Sequence, residues 1–305
     1  MRIPRAEFFR WWENTPSSGV PVAGSGIPGV NMIRAEEDVD ALLNGALSGE
    51  WDPAPESLSA TSVFWVHHGT RLAGGEVTYR NQYVLVRVGA VFGACAFEPA
   101  ELDPGICERC SGVSLDLLLR HASLPLRIAA LDAYLGVLGP HGAGSGAERV
   151  VLPAGSPESR AESRDAAIAG LLEISSGANV ALIGVVDPLV AAIRERGGRC
   201  LPCDFNTSST RWGDPVADDT DEVLHAAEAV VATGMTLGNG TFDGIVAHCR
   251  RRELPLVVYA QTGSNIARAF LGSGVTALLA EPFPFSQFSA DSTAVYRYRL
   301  PKVDS

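Results

Sequence analysis

A chain of 305 residues with 46% hydrophobic content holds enough material for two modest domains with full cores. A net charge of −11 and a pI near 5.0 argue against nucleic acid as a main partner and favour a small-molecule ligand. No apolar run reaches the roughly 20 residues of a membrane span, and MRIPRAEFFRWWE lacks a secretion signal's apolar segment, so the expectation is a cytoplasmic protein with no membrane partner.

Residues 1–60 read as an N-terminal extension. It holds a short helix over Glu7–Glu13, a loop rich in Gly, Pro and Ser over 15–30, and a helix over Glu36–Leu47 with Val39, Leu42 and Leu43 at helical spacing. Residues 61–147 read as a smaller α+β domain. Strands are predicted at Ser62–His68, Thr78–Val88 and Ala90–Phe97, then a helical stretch over Gly112–Leu138 that Pro125 breaks in two. PHGAGSGA (140–147) has linker composition and marks the domain boundary.

Residues 148–290 alternate strand and helix, the pattern of a Rossmann-like parallel sheet with helices on both faces. The fold class is therefore α/β. A helix is predicted over Ser163–Ser175, then strands at 180–183 and 199–203 around a helix opened by Asp187 and Pro188, with Asp187 as its N-cap. Helices follow at Thr220–Glu228, Thr241–Arg252 and Asn265–Leu271, and strands at Ala229–Thr233, Leu256–Ala260 and Val275–Ala280. Residues 291–305 are left as a C-terminal tail.

If the winding reverses between the first of these strands and Ala229–Thr233, a ligand crevice opens at the carboxyl ends. That places Gly184, Asp204, Gly234 and Gln261 around one cleft. Asp204 lies at a strand tip about 20 residues past the glycine turn, where dinucleotide-binding folds place the acid that grips a ribose. The turn itself, GVVDP (184–188), has one glycine and an acid where a pyrophosphate would sit. NAD and FAD are disfavoured; S-adenosylmethionine, an adenosine without phosphates, is easier to hold. Expected cofactor contacts are Gly184, Asp187, Asp204, Thr233, Gly234 and Thr236. In ATGMTLGNGT (232–241) the glycines and Asn239 permit positive φ and Thr241 can cap the next helix. Its free backbone N–H groups and hydroxyls would suit an anionic group, which makes Asn239, Gly240, Thr241 and Gln261 substrate-binding candidates.

The same block resembles the T-G-x-T-x-x-N-G-T signature of the DUF364 family, whose label is heavy-metal chelation. ALIG (181–184) and GVTA (274–277) are similar to its opening strand and a late segment, and 111–136 with SLPLRIAALDAYLG resembles the DUF4213 domain that commonly precedes it. The resemblance spans roughly 60–285 and implies an enolase-N-terminal-like first domain and a Rossmann-like second one. AQTGS (260–264) departs from the family's Gly-Pro-Ser-Thr-like turn, and Asp132 stands where an Asn is usual.

Metal ligation by the protein alone has little support. Cys107/Cys110 and Cys200/Cys203 lie far more than the roughly 15–20 residues of a zinc ribbon apart, and Cys200 and Cys203 point to opposite faces of a strand. The histidines show no ligand spacing, so no metal residue is assigned. No nucleophile elbow or P-loop occurs. The acid/base candidates are Asp187, Asp204, Asp243 and Glu281, of which Asp243 and Glu281 are assigned as catalytic, with Phe283 and Phe285 as an apolar wall beside the latter. Three functions stand side by side: an S-adenosylmethionine-using transferase or lyase/cyclase, which is the reading adopted, a non-enzymatic binder of a heavy metal or metal-chelating metabolite, and a scaffold that keeps the fold without chemistry. A homodimer is compatible with each.

Overall fold

The computed structural model describes residues 33–35, 37–71, 78–142 and 144–300. The expected Glu7–Glu13 helix and 15–30 loop lie outside them. The described chain opens with α1 (Val39–Ser48), which Asp38 caps by accepting from the Ala41 N–H at 2.7 Å. Three antiparallel strands follow, β1 (Ser62–Thr70), β2 (Tyr79–Val88) and β3 (Val91–Ala96). Short helices α2 (Ile106–Cys110) and α3 (Leu115–Leu119) lead into α4 (Leu124–Leu138). Pro125 sits in the first turn of α4 and opens that helix, where its missing N–H costs nothing. Apolar residues surround almost the whole of α4, as burial between two layers requires.

A seven-stranded sheet follows. Its strands are β4 (Glu148–Leu152), β5 (Asn179–Ile183), β6 (Arg199–Cys203), β7 (Ala229–Thr233), β8 (Leu256–Ala260), β9 (Ala277–Ala280) and β10 (Thr293–Arg299). The order is β4-β10-β9-β8-β7-β5-β6. From β6 to β9 the strands are parallel; β10 runs antiparallel between β9 and β4. The helices are α5 (Pro157–Ala169), α6 (Asp187–Glu195), α7 (Thr220–Ala226), α8 (Phe242–Arg252) and α9 (Ser264–Ala269).

Strand alternation sorts the core into two layers. Val180, Leu182, Val231, Val257 and Leu279 pack on one face with Ile168 of α5 and Leu189 and Ile193 of α6. Ala181, Ile183, Val230, Val258 and Leu278 pack on the other with Leu224 of α7, Ile245 of α8 and Ile266 of α9. The second layer is continuous with Leu126, Leu131 and Tyr134 of α4 and with Val84 and Val86 of β2. The α+β and α/β regions thus share one core.

Several expectations change. Thr293–Arg299 is a sheet strand rather than a stretch of tail, because Val295 and Tyr298 are buried while Arg297 pairs with Glu148 on β4. Residues 39–48 are core rather than extension, since Leu42 and Ala46 are buried in the shared layer. The helix expected at Ser163–Ser175 begins earlier: Ser156 accepts from the Ser159 N–H and Pro157 follows, a helix-start signature.

Candidate functional site

The chain runs from β5 out to β6 and returns to β7 on the other side of β5, so the winding reverses there. A cleft of about 80 Å³, open to solvent on one side, lies at the carboxyl ends of these three strands. Gly184, Asp204, Thr233, Thr236 and Asn239 line it, together with residues of the α+β region that leave β3: Ala96, Phe97, Glu98 and Glu101. The switch point supplies the floor, and the α+β region supplies a wall.

Gly184 is fixed as glycine by geometry. Its φ is +87°, and a Cβ there would stand 2.6 Å from the Thr233 Cγ2 and 2.9 Å from the Tyr259 hydroxyl oxygen. The Tyr259 hydroxyl donates to the Gly184 carbonyl at 2.8 Å, which ties β8 to the turn. Asp204 holds the same turn from the other side. One carboxylate oxygen accepts from the Val185 N–H and the other from the Asn206 N–H, both at 2.8 Å. Each oxygen keeps a second lone pair, and Asp204 lines the cleft. Phe205, next in the chain, lies on the cleft wall with 59% of its surface exposed.

The 232–241 block acts chiefly as a joint. Gly238 lies against β3 so closely that a Cβ would overlap the Ala96 carbonyl, and a Cβ on Gly234 would overlap the Thr262 carbonyl. The Thr236 hydroxyl donates to the Thr233 carbonyl at 2.7 Å. Asn239 accepts from both the Thr241 N–H (3.1 Å) and the Thr241 hydroxyl (2.8 Å), an Asx turn that Gly240 completes at φ +76°. The N–H groups of Gly238 and Asn239 donate to the Met235 carbonyl. The expected anion cradle is therefore largely consumed by internal hydrogen bonds. Thr241 occupies the N-cap position of α8 without a side-chain cap bond, because its hydroxyl turns back to Asn239.

Other expected site residues stand off the cleft. Asp187 is the first residue of α6 rather than its N-cap; its carboxylate accepts from the Arg211 N–H at 3.2 Å and pins the following loop. Asp243 accepts from the Val39 N–H at 3.1 Å and anchors the start of α1, with burial raising its carboxyl pKa. Gln261 donates to Glu281 at 2.8 Å and to Gln287 at 2.7 Å. Glu281 is buried and also accepts from the Ser286 N–H. Gln287 reaches the Tyr83 hydroxyl at 3.5 Å. Burial, reinforced by the Glu281 charge and opposed by Arg164, pushes Tyr83 up to about 12. Gln261 and Glu281 thus belong to a closed network at the β8–β9 end and do not line the cleft.

The donor chemistry does not fit a protein-held metal. Among the described residues no three His, Cys, Asp or Glu side chains converge. Cys203 and Cys200 pack into the two opposite core layers, and burial raises both thiols, Cys200 to about 12, away from the thiolate a metal needs. Among the described residues no helix is long and apolar enough to cross a membrane. Sequence reading missed Glu98, Glu101, Phe205 and Tyr259; adjacency to Asp204 was the one signal available for Phe205.

The fold and cleft define a class: a doubly wound α/β protein with a switch-point pocket walled by an antiparallel α+β region. Residues 166–280 match the model of the DUF364 family, described as "Putative heavy-metal chelation". The structure is similar to that of a DUF364-family protein of unknown function from Desulfitobacterium hafniense DCB-2. The match covers 86% of this chain and 96% of that one, with TM-score 0.56 and 15% identity. A DUF364-family protein of unknown function from Pyrococcus horikoshii is similar over 85% of this chain and 98% of its own, with TM-score 0.52 and 15% identity. Likeness at this identity concerns the fold alone. No curated protein matches the chain.

Proposed function

We propose that the switch-point cleft binds an adenosine-containing small molecule, S-adenosylmethionine above others, and that the protein is an enzyme of the transferase or lyase/cyclase type. The observation that carries this reading is the charge of the lining. Glu98, Glu101 and Asp204 are its charged side chains, and among the described residues no Lys, Arg or His lines it. Such a wall repels a pyrophosphate and suits a ligand with positive charge. Asp204 at the tip of β6 has acceptor capacity left for a ribose hydroxyl. The cleft is open to solvent on one side, which leaves room for such a ligand to extend along its mouth. The sulfonium cofactor supplies an activated alkyl group; this chain's residues hold and orient it. Neither Asp243 nor Glu281 is assigned a chemical step, since both are engaged elsewhere. Residues 61–147, read as related to the DUF4213 domain, supply the wall that carries Glu98 and Glu101.

A second reading follows the description of the matching family: binding of a metal-chelating metabolite, with the metal as cargo. The acidic rim suits such a cationic complex, whereas protein ligands for a bare ion are lacking among the described residues. Native mass spectrometry with and without S-adenosylmethionine separates the two. A nucleoside mass increment lost in Asp204→Ala supports the first. No increment, together with a retained metal chelate, overturns it in favour of the second.

A further inference from the structure

Phe205 is a large apolar side chain with no evident structural reason to be where it is. It sits directly after Asp204, on the cleft wall, and 59% of its surface faces solvent. Among the described residues no aromatic ring pairs with it and no cation lies over it. The contrast with its loop is clear: Trp212, also exposed, has the Arg194 and Arg211 guanidinium groups over its ring at 5.0 and 4.3 Å from the ring centre. Aromatic rings of the α+β region, such as Phe64 against Phe92 and Trp65 against Phe97, are paired too. The Phe205 backbone is held firmly, because Asp204 accepts the Asn206 N–H on one side of it and Cys203 is buried in the core on the other. The ring is an uncovered apolar face on the wall of the cleft, carried by a well-held backbone.

We propose that Phe205 is a positioning residue on which a planar ring of the ligand stacks. It rests on the adenosine reading above and deepens it: the ring is the adenine, with the ribose at Asp204 beside it. Stacking of a base on an aromatic side chain is sequence-local here, since Asp204 and Phe205 are consecutive and their relative placement is set by one peptide unit. An aromatic face also tolerates a neighbouring positive charge, which the acidic rim favours.

The test measures binding of S-adenosylmethionine and of S-methylmethionine, which carries the sulfonium and amino acid without the base. Wild type, Phe205→Ala and Phe205→Tyr are compared by titration calorimetry, with thermal unfolding as a folding control. The expected result is a dissociation constant for S-adenosylmethionine raised by about tenfold in Phe205→Ala and within about twofold of wild type in Phe205→Tyr. S-methylmethionine is expected to treat all three proteins alike, and the hypochromic change of the base near 260 nm is expected to vanish in Phe205→Ala even at saturation. Equal S-adenosylmethionine affinity in wild type and Phe205→Ala overturns the stacking role and leaves the cleft reading standing. Equal loss of both ligands in Phe205→Ala overturns it as well, by showing a general disturbance. Failure of the wild type to bind S-adenosylmethionine overturns the cleft reading and the stacking role together.

Discussion

The carboxyl ends of the sheet present polar residues twice, and the two places behave differently. At the β8–β9 end, Gln261 bonds to both Glu281 and Gln287, Glu281 also accepts from the Ser286 N–H, and Tyr83 closes the group from β2 through Gln287. At the β5–β7 end, Asp204 spends one acceptor position of each oxygen on the backbone and keeps the others, and Phe205 and Glu98 stay exposed around an open cleft. Polar residues at strand ends are common to both. What separates a candidate site from a structural network is whether the protein has already used their hydrogen-bonding capacity.

That contrast can be broken experimentally, and the largest expected effect lies at the joint between the α+β and α/β regions. Gly238→Ala drives a methyl group into the Ala96 carbonyl and is expected to cost about 4 kcal/mol in denaturant unfolding. A fully stable variant would show that β3 does not bear on the switch point as described. Glu281→Ala strands the Ser286 N–H and the Gln261 amide in a buried place. Its expected cost is about 3 kcal/mol of stability, with ligand affinity of the remaining folded protein unchanged. A specific loss of binding instead would move the site to the β8–β9 end.

Asp132 adds a pH effect of similar size. Its carboxylate is buried in α4 and accepts from the Ala94 N–H at 2.9 Å and the Asn265 N–H at 2.8 Å, and burial raises it to about 6. The native state therefore holds this proton more tightly than the unfolded chain does. Its contribution to stability is present below the unfolded carboxyl value of 3.8 and is lost as pH rises through about 6. The expected difference across that window is about 3 kcal/mol, and Asp132→Asn should flatten it in unfolding curves recorded between about pH 4 and 7.

Smaller effects sharpen the other side of the comparison. Asp204→Ala is expected to cost about 2 kcal/mol of stability through the lost Val185 and Asn206 contacts, and in addition to abolish nucleoside binding. The paired change Glu98→Gln with Glu101→Gln should leave stability within about 0.5 kcal/mol, both positions being exposed. It should weaken binding of a cationic ligand a few-fold, by less at high salt. Unchanged binding at low salt would count against the charge argument.

Strands β7 and β8 were legible to the residue because short β-branched runs sit between clear helix signals; the reversal at β5 stood only as a condition, because long-range pairing and not order along the chain decides it. Strands β4 and β10 were not. ERVVL and TAVYRYR carry charges on their outward positions, and it is their mutual pairing, the pairing of β10 with β9 and the burial of Leu152 and Val295 that make them strands. The site divides in the same way. Gly184 and Asp204 could be read from a local strand-turn-helix-strand pattern. Glu98 and Glu101 could not, because they reach the cleft only after β3 docks against Gly238, a contact between segments distant in sequence. The 232–241 motif was visible and brings Thr233, Thr236 and Asn239 to the cleft, but nothing in its sequence says that its N–H groups and hydroxyls bond largely inward.

The placement of β10 bears on the order in which the molecule can be completed. β4 touches the sheet only through β10, and β10 in turn covers the open side of β9. During synthesis β4 therefore waits, unpaired, while the chain from β5 to β9 emerges and winds, and β9 stays a bare edge until residues 293–299 arrive. The last strand acts as a closing stitch for the first strand of the sheet. A ribosome-bound or truncated chain lacking it would leave β9 a bare edge and β4 unpaired on both sides, exposing more strand backbone to aggregation than the β4 and β6 edges that the finished sheet keeps.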